Sequence, residues 1–550
     1  MPSIALLAPV LLPLVAAGVI TVFGLSGFNA GPLAVSAGAW AALIALMAIW
    51  LTVRSTQELN LGPLGFGSRL DLRVDAMAFA FGLMVLVPAA VLLTLQQRSW
   101  QEATLGLLGV AAAVGAIEAG AVILTALAAG TAATLAVVQL DTEDVRAPRP
   151  RWSMLLAAWL ALSLAGVILQ VRGGTAAYSA IPVSALTVPV FSLIALAGVL
   201  ASGLLPWRSW PAQVWSRPSL RAAGLVVATL YPLGFYLLAR AYEMGDGRYP
   251  HPAFNAVLAS LGVLVALGAA FRAQAAATRR EFLGEVIPGL GGFGLMTLVL
   301  GTPLGVSAGV IALATAAAMT ACLSLVPDRA GPASLVAIAA AVGLPPGLAF
   351  GARVVGLEST FEASDLFGLI GVAGAMTWVL WMVAGARATG LPAGRGRPTG
   401  ETFPGVAMTI AALTLAAGPA LGVIQVAFAN PAQANVMTLP PGSASGGFTS
   451  VVTVTTVLPV VALFVPLLII GLLVFAAANT GLIRTQQRPA LFDLPAARAI
   501  ARARSVVAAM AVPEQYRSIL NPQSLEAAVA GGRPLLWLAS LAALAFAVSR

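Results

Sequence analysis

The feature that most constrains this chain is a long succession of apolar runs separated by short polar loops. A helix needs roughly 20 apolar residues to cross the hydrocarbon layer of a membrane, and about 16 such runs can be counted along the sequence. Hydrophobic residues make up 59% of the 550 residues and charged residues only 9%, which is far from the composition of a soluble domain. The sequence therefore predicts an all-α polytopic membrane protein with about 16 transmembrane helices.

The positive charge of the chain is carried by arginine alone. The formal net charge is +9, and all 29 basic residues are arginines. No basic run is interleaved with aromatic residues, so nucleic acid is not an expected partner. When the arginines are assigned to alternate loops, about 20 fall on one side and about 7 on the other, and arginine-rich loops stay cytoplasmic. We therefore expect a multi-pass protein of the cell inner (plasma) membrane with both termini periplasmic or exterior and with Arg149, Arg217 and Arg280 in cytoplasmic loops.

Residues that carry catalytic or metal chemistry are scarce in this sequence. Cys322 is the only cysteine and His251, between two prolines, is the only histidine, so no cysteine-ligated metal site or internal disulfide is expected. Gly289, Gly291 and Gly294 spell G-x-G-x-x-G, but no strand precedes them, and we interpret them as sites of close helix approach. No nucleophile–base pair is recognisable, so we expect no catalytic residues, no metal and no cofactor in this chain.

Two proline-interrupted apolar segments divide the chain into comparable halves. Paired interruptions of this kind are typical of inverted repeats, with the broken segments lining a site at membrane depth. The interrupting prolines in predicted helices seven and twelve are Pro206, Pro211, Pro345 and Pro346. The predicted regions are 1–102 with helices 1–3, 103–251 with the first five-helix repeat, 252–387 with the second, and 388–550 with the C-terminal helices, an arginine-rich segment at 484–533 and a final span.

The first interruption carries a family resemblance. The stretch from Pro206 to Pro211 resembles the Pro-x-x-Trp-x-Pro turn of the antiporter-like, proton-conducting membrane subunits found in respiratory complex I, Mrp antiporters and membrane-bound hydrogenases. The segment from Tyr236 to Arg240 looks like the tyrosine-leucine-arginine end of that family's next helix. The run Gly343-Leu344-Pro345-Pro346, followed by Phe350 and Arg353, resembles its second broken helix. The resemblance implies a subunit that works beside other membrane subunits.

Most charged positions of the family are substituted here. Ala126 stands where the resemblance implies a glutamate, Ala201 where it implies a lysine, and Val226 near the place of a histidine. Arg353 stands where a lysine is implied, so this position keeps a positive charge. A buried lysine can lose its proton, whereas an arginine keeps its charge in almost any environment. A proton relay needs groups that change protonation, so we expect the relay to be incomplete.

Two carboxylates join Arg353 as candidates for an ion pathway. Asp75 loosely matches a leucine–aspartate pair of the family, and it could equally be a carboxylate favoured by a helix N-terminus. Glu118 lies two turns before Ala126 in an uncharged stretch. A charge so close to a helix end can also reach the membrane interface by snorkelling.

The sequence therefore favours an antiporter-like subunit of a multisubunit NADH–quinone oxidoreductase-like, hydrogenase-like or related complex, degenerate in proton pumping and mainly structural. The alternatives are an active proton or sodium/proton translocating subunit and a stand-alone secondary transporter of a small solute. The expected partners are the lipid bilayer and other membrane subunits, with protons or sodium as the ions. Whether the complex is a proton-translocating oxidoreductase stays open at this point.

Overall fold

A computed structural model describes residues 4–27, 31–65, 68–96, 98–143, 152–204, 210–215, 220–327, 331–393 and 402–437. Nearly all regular structure within these ranges is helical. The prediction of an all-α polytopic membrane fold is confirmed. The predicted C-terminal region beyond residue 437, with its arginine-rich segment at 484–533 and its final span, lies outside the described residues.

The helices and strands are numbered in chain order. They are α1 Ala8–Leu25, α2 Pro32–Val53, β1 Gln57–Gly65, β2 Ser68–Val74, α3 Ala76–Leu95, α4 Trp100–Ile117, α5 Val122–Glu143, α6 Trp152–Gly173, α7 Val188–Ala201, α8 Trp210–Trp215, α9 Arg221–Met244, α10 Ala253–Ala275, α11 Arg279–Leu298, α12 Pro303–Leu325, α13 Pro332–Val342, α14 Leu348–Ala363, α15 Asp365–Thr389, α16 Pro404–Ala416, α17 Leu421–Ile424 and α18 Asn430–Met437.

Among the described residues, ten helices are long and apolar enough to cross a membrane. A further candidate is the pair Pro404–Ala416 and Leu421–Asn435, whose axes are bent by 92°. The first apolar run of the predicted C-terminal region is therefore not one straight helix. Pro419 lacks a backbone N–H and interrupts the helical hydrogen bonds at this bend. The total of about 16 spans stays a prediction.

The first predicted break separates α7 from α8. Helix α7 ends at Ala201, and Gly203 adopts the left-handed conformation (φ 60°) that glycine tolerates without steric penalty. Pro211 is the second residue of the short helix α8. Pro206 lies outside the described residues.

The second predicted break separates α13 from α14. Helix α13 ends at Val342, and Gly343 again takes the left-handed conformation (φ 75°) that ends many helices. Pro345 and Pro346 form the turn before α14. Both breaks therefore end a helix in the same way, with a left-handed glycine directly after the last turn or one residue later.

The element order is the same in the two halves. Helices α4 to α9 comprise three unbroken helices, a broken one and a long final helix, and helices α10 to α15 follow the same order. This order agrees with two five-helix units. The inverted relation of the two units stays a prediction, and so do the boundaries of the four regions.

The segment between α2 and α3 contains two β-strands, which the count of apolar runs does not predict. Strands β1 and β2 form a two-stranded antiparallel sheet in which Leu59 pairs with Leu72 and Gln57 with Val74. Polar and apolar residues alternate from Glu58 to Leu61 and from Arg69 to Val74, the period of a strand. A sequence scan for apolar runs of membrane length does not detect this short alternation.

The glycines of α11 allow close helix contacts, as their pattern suggested. A Cβ atom on Gly291 would lie 1.7 Å from the Tyr231 hydroxyl oxygen of α9. That hydroxyl donates a hydrogen bond to the carbonyl of Ile287, also in α11, at 3.0 Å. The absence of a side chain at Gly291 therefore permits a hydrogen bond between the two halves.

We predict that Gly291→Ala destabilises the folded chain by about 1 to 3 kcal/mol, the usual cost of overpacking a core. The added methyl group would displace Tyr231 and break its bond to α11. Gly109→Ala in α4 is the control, because no atom lies within 4 Å of a Cβ atom at that buried position. Thermal unfolding in mild detergent measures both. Equal midpoints for the two variants would contradict the proposed close contact.

Candidate functional site

Asp75 is the first residue of a buried group of charges. It caps the N-terminus of α3, where its Oδ1 accepts a hydrogen bond from the backbone N–H of Ala78 at 2.8 Å. Its side chain is fully buried. Helix capping, the simpler of the two interpretations offered for Asp75, is therefore realised in the structure. Capping alone would leave a buried negative charge without a counter-ion, which is costly.

The counter-ion is Arg240 of α9. Its Nη1 and Nη2 donate to the two carboxylate oxygens of Asp75 at 2.6 and 2.8 Å, a bidentate geometry that only a guanidinium can provide. Its Nε donates to the Tyr236 hydroxyl at 2.9 Å, one helical turn earlier. Burial raises the pKa of Asp75, but the adjacent positive charge of Arg240 outweighs it, so this pKa lies below its ordinary value.

Two more charges complete a group that we call the ion cluster, defined as Arg73, Asp75, Arg240 and Glu243. Nη1 of Arg240 also lies 2.6 Å from Glu243, and Nη2 of Arg73 lies 2.5 Å from the other oxygen of that carboxylate. Nε of Arg73 lies 3.1 Å from Asp75. The ion cluster holds two positive and two negative groups, and the more exposed carboxylate of Glu58 lies 3.6 Å from Nε of Arg73.

The ion cluster joins three parts of the fold. Tyr236 accepts from Arg240 and donates to the carbonyl of Ile117, the last residue of α4, at 2.5 Å. The backbone N–H of Arg73 in β2 donates to the carbonyl of Glu118 at 2.6 Å. Helix α9, the start of α3 and the end of α4 are therefore connected through one hydrogen-bonded network.

The first helix break contains neutral groups only among its described residues. The indole N–H of Trp210 donates to the carbonyl of Ala201 at 2.9 Å, which satisfies an acceptor at the end of α7. Ala201 is fully buried. Ala126 and Val226, the other two substituted positions, are 2% and 1% exposed. All three substitutions therefore place an apolar side chain at a buried position where the resemblance implies an ionisable one.

The second helix break has the same indole donor and adds a positive charge. The indole N–H of Trp378 in α15 donates to the carbonyl of Val342 at 2.9 Å. Nη1 of Arg353 in α14 donates to the same carbonyl, and its guanidinium carbon lies 5.3 Å from the centre of the Trp378 ring. Arg353 is buried and forms no salt bridge with any carboxylate in the described part of the chain. A carbonyl and an aromatic face thus surround this cation.

Glu118, the third candidate, follows directly after the last residue of α4. Its side chain is fully buried, because the residues after α4 are held between β2 and the segment around Ala176. Arg353 makes its described contacts with Val342 and Trp378 and is not part of the ion cluster. The structure brings Asp75 near the backbone of Glu118 but does not bring Arg353 to either.

Several of these partners were missed by sequence reasoning. Arg240 was noted only as part of a motif, although an arginine inside an apolar helix requires a buried partner and could have indicated Asp75. Glu243, one turn after Arg240 in the same helix, is a charged residue that could have been noticed for the same reason. The two indole donors, Trp210 and Trp378, gave no signal that separates them from ordinary core tryptophans.

Comparison with solved structures identifies chains of the same fold. A chain of the Mrp complex from Dietzia sp. DQ12-45-1b matches with a TM-score of 0.70 and 18% identity, over 100% of this chain and 63% of that one. A chain of respiratory complex I from Thermus thermophilus with bound NADH matches with a TM-score of 0.62 and 19% identity, over 79% of this chain and 98% of that one. A chain of the membrane-bound sulfane sulfur reductase (MBS), an archaeal respiratory membrane complex, matches with a TM-score of 0.62 and 16% identity, over 98% of this chain and 100% of that one.

This chain has the fold of the antiporter-like membrane subunits. The likeness confirms, at the level of fold, the resemblance that rested on the two broken helices. The antiporter-like fold here spans less than two thirds of the matching Mrp chain. No protein-family model and no curated protein matches the chain.

We predict that Asp75→Ala and Arg240→Ala each destabilise the antiporter-like fold by about 3 to 5 kcal/mol, because each leaves a buried charge without its partner. The double variant should be less destabilised than the sum of the two single variants. The more exposed pair Arg272 and Glu285, 2.9 Å apart, is the control and should contribute about 1 kcal/mol or less. The measurement is the free energy of unfolding of the unaltered chain, the two single variants and the double variant. If the effects of the two single substitutions simply add, direct coupling between Asp75 and Arg240 is contradicted.

Proposed function

We propose that this chain is a membrane subunit of a multisubunit ion-translocating complex, of the NADH–quinone oxidoreductase-like, hydrogenase-like or a related kind. Within that complex it is degenerate in proton pumping and mainly structural. The fold shared with chains of an Mrp complex, of respiratory complex I and of an archaeal respiratory membrane complex supports the class. The inner membrane is the proposed location, with both termini on its outer side.

The observation that carries the proposal is that buried apolar residues occupy three positions of the first half where the resemblance implies ionisable side chains. A proton relay requires ionisable groups at membrane depth. Burying such groups costs free energy, so they are found there mainly where they have a function. Ala126, Ala201 and Val226 are buried and apolar, and the carbonyl of Ala201 is already satisfied by Trp210. The indole N–H of Trp210 thus takes the place of a helical donor at the end of α7.

The second break supports a structural role in a different way. Arg353 donates to the carbonyl of Val342 that the break leaves without a helical partner, and it stacks on Trp378. A guanidinium holds its charge permanently, so it can fix the geometry of the break without releasing a proton. Its function in this proposal is to hold α13, α14 and α15 together.

An active proton or sodium/proton translocating subunit is the second candidate. The buried carboxyl of Glu118 and the retained charge at Arg353 favour it. A stand-alone solute transporter has less support, because a cavity of about 390 Å³ between α3, α12 and residues 423–428 is lined by apolar side chains and suggests no polar solute.

The structural role of Arg353 leads to a specific prediction. Arg353→Ala should lower the yield of assembled complex. The free energy of unfolding should fall by about 2 to 5 kcal/mol, because a large buried side chain is truncated. Arg353→Lys should assemble, because a lysine retains a donor for Val342. Complex yield and proton uptake are measured in the same vesicles.

Arg272→Ala is the control, since this arginine is partly exposed and lies in a helix of the same half. Its complex yield should equal that of the unaltered chain. Normal assembly of Arg353→Ala together with selective loss of proton uptake would overturn the structural role and favour the active subunit.

A further inference from the structure

Glu118 is an unusual carboxyl group because it is buried and has no partner. Its relative exposure is 0%, and neither side-chain oxygen has a hydrogen-bond donor among the described residues. It also forms no salt bridge within that part of the chain. The other fully buried carboxylate, Asp75, has three donors to its oxygens.

The backbone around Glu118 prevents its side chain from moving to the membrane interface. The carbonyl of Glu118 accepts from Arg73, and the N–H of Gly120 donates to the carbonyl of Asp71 at 2.7 Å. On the other side, Tyr178 donates to Gly120 at 2.9 Å and Val122 donates to Ala176 at 3.0 Å. This segment is therefore held from both sides like the middle strand of a small sheet.

The charged groups of the neighbouring elements are already engaged with one another. The β2 side contributes Asp71, Arg73 and Asp75, the segment after α6 contributes Tyr178, and α9 contributes Tyr236, Arg240 and Glu243. The two arginines pair with Asp75 and Glu243 at 2.5 to 3.1 Å, and Arg73 also lies 3.6 Å from Glu58 of β1. Both arginines of the ion cluster are thus paired without Glu118.

An ionised carboxylate without a partner is expensive in a low-dielectric interior, and such groups take up a proton instead. We propose that Glu118 is a proton-binding site, with a carboxyl group that is protonated in the folded chain at neutral pH. The site is separate from the ion cluster and from both helix breaks. Burial raises the pKa of Glu118 well above its ordinary value, in agreement with this assignment. The inference requires the fold alone and does not depend on the chain's assembly with partners.

Infrared spectroscopy of the purified full chain or its complex tests the proposal directly. At neutral pH, the difference between the unaltered chain and Glu118→Gln should contain the C=O stretching band of a protonated carboxyl, shifted in deuterated water. Glu102→Gln is the matched control at the opposite end of α4, where the glutamate is partly exposed and caps the helix. Its difference spectrum should lack that band. Absence of the band in the Glu118 spectrum, or a carboxylate band in its place, would overturn the proposal.

Stability as a function of pH is a second measurement. Because the folded chain holds this proton at pH values where the unfolded chain has released it, the contribution of Glu118 to stability is greatest at low pH. It is lost as the pH rises towards the pKa of the folded state. Relative to Glu118→Gln, the unfolding equilibrium constant of the unaltered chain should rise up to tenfold for each pH unit above about 4.3.

Parallel pH profiles of the two proteins would contradict the proposal, as would a sodium-dependent shift of the unfolding midpoint that Glu118→Gln abolishes. If Glu118→Gln does not accumulate, Glu118→Asp replaces it. That variant should keep a protonated carboxyl band at an altered frequency, and loss of the band would be equally decisive.

Discussion

The buried pair of Arg240 and Asp75 is the interaction on which the rest of the antiporter-like fold depends. It places a charge of α9, a helix whose membrane-spanning window is wholly buried, against the residue that caps the N-terminus of α3. Neither charge could remain in the interior alone, so the two elements must meet in this register. Tyr236 and Arg73 extend the same network to the end of α4 and to β2.

Each broken helix ends with a carbonyl group that has lost its helical donor, and the donors that replace it differ between the two breaks. In each, an indole N–H satisfies the last carbonyl before the break, at 2.9 Å from Ala201 in one and from Val342 in the other. The second break adds the guanidinium of Arg353. Among the described residues, the two breaks therefore differ in that only the second has a charged side chain bonded to the last carbonyl of its first helix.

Much of the fold could be predicted from the sequence, because apolar runs and interrupting prolines are strong signals of membrane helices and their breaks. Strands β1 and β2 escaped detection, since their alternation is short and weakly apolar. The site was harder to predict. Asp75 and Glu118 could be identified as buried-charge candidates, yet their different environments depend on a guanidinium that lies 165 residues from Asp75 along the chain. The role of Trp378 requires knowledge of the three-dimensional packing.

The central claim is that this chain acts as part of a larger complex and has no ion transport of its own. The most direct test extracts the full chain in mild detergent, determines the mass and composition of what is recovered, and measures ion flux after reconstituting the separated chain into vesicles. The account predicts recovery in a multisubunit complex and no proton or sodium flux above that of empty vesicles. Recovery as a single chain that transports protons, sodium or a solute would contradict it.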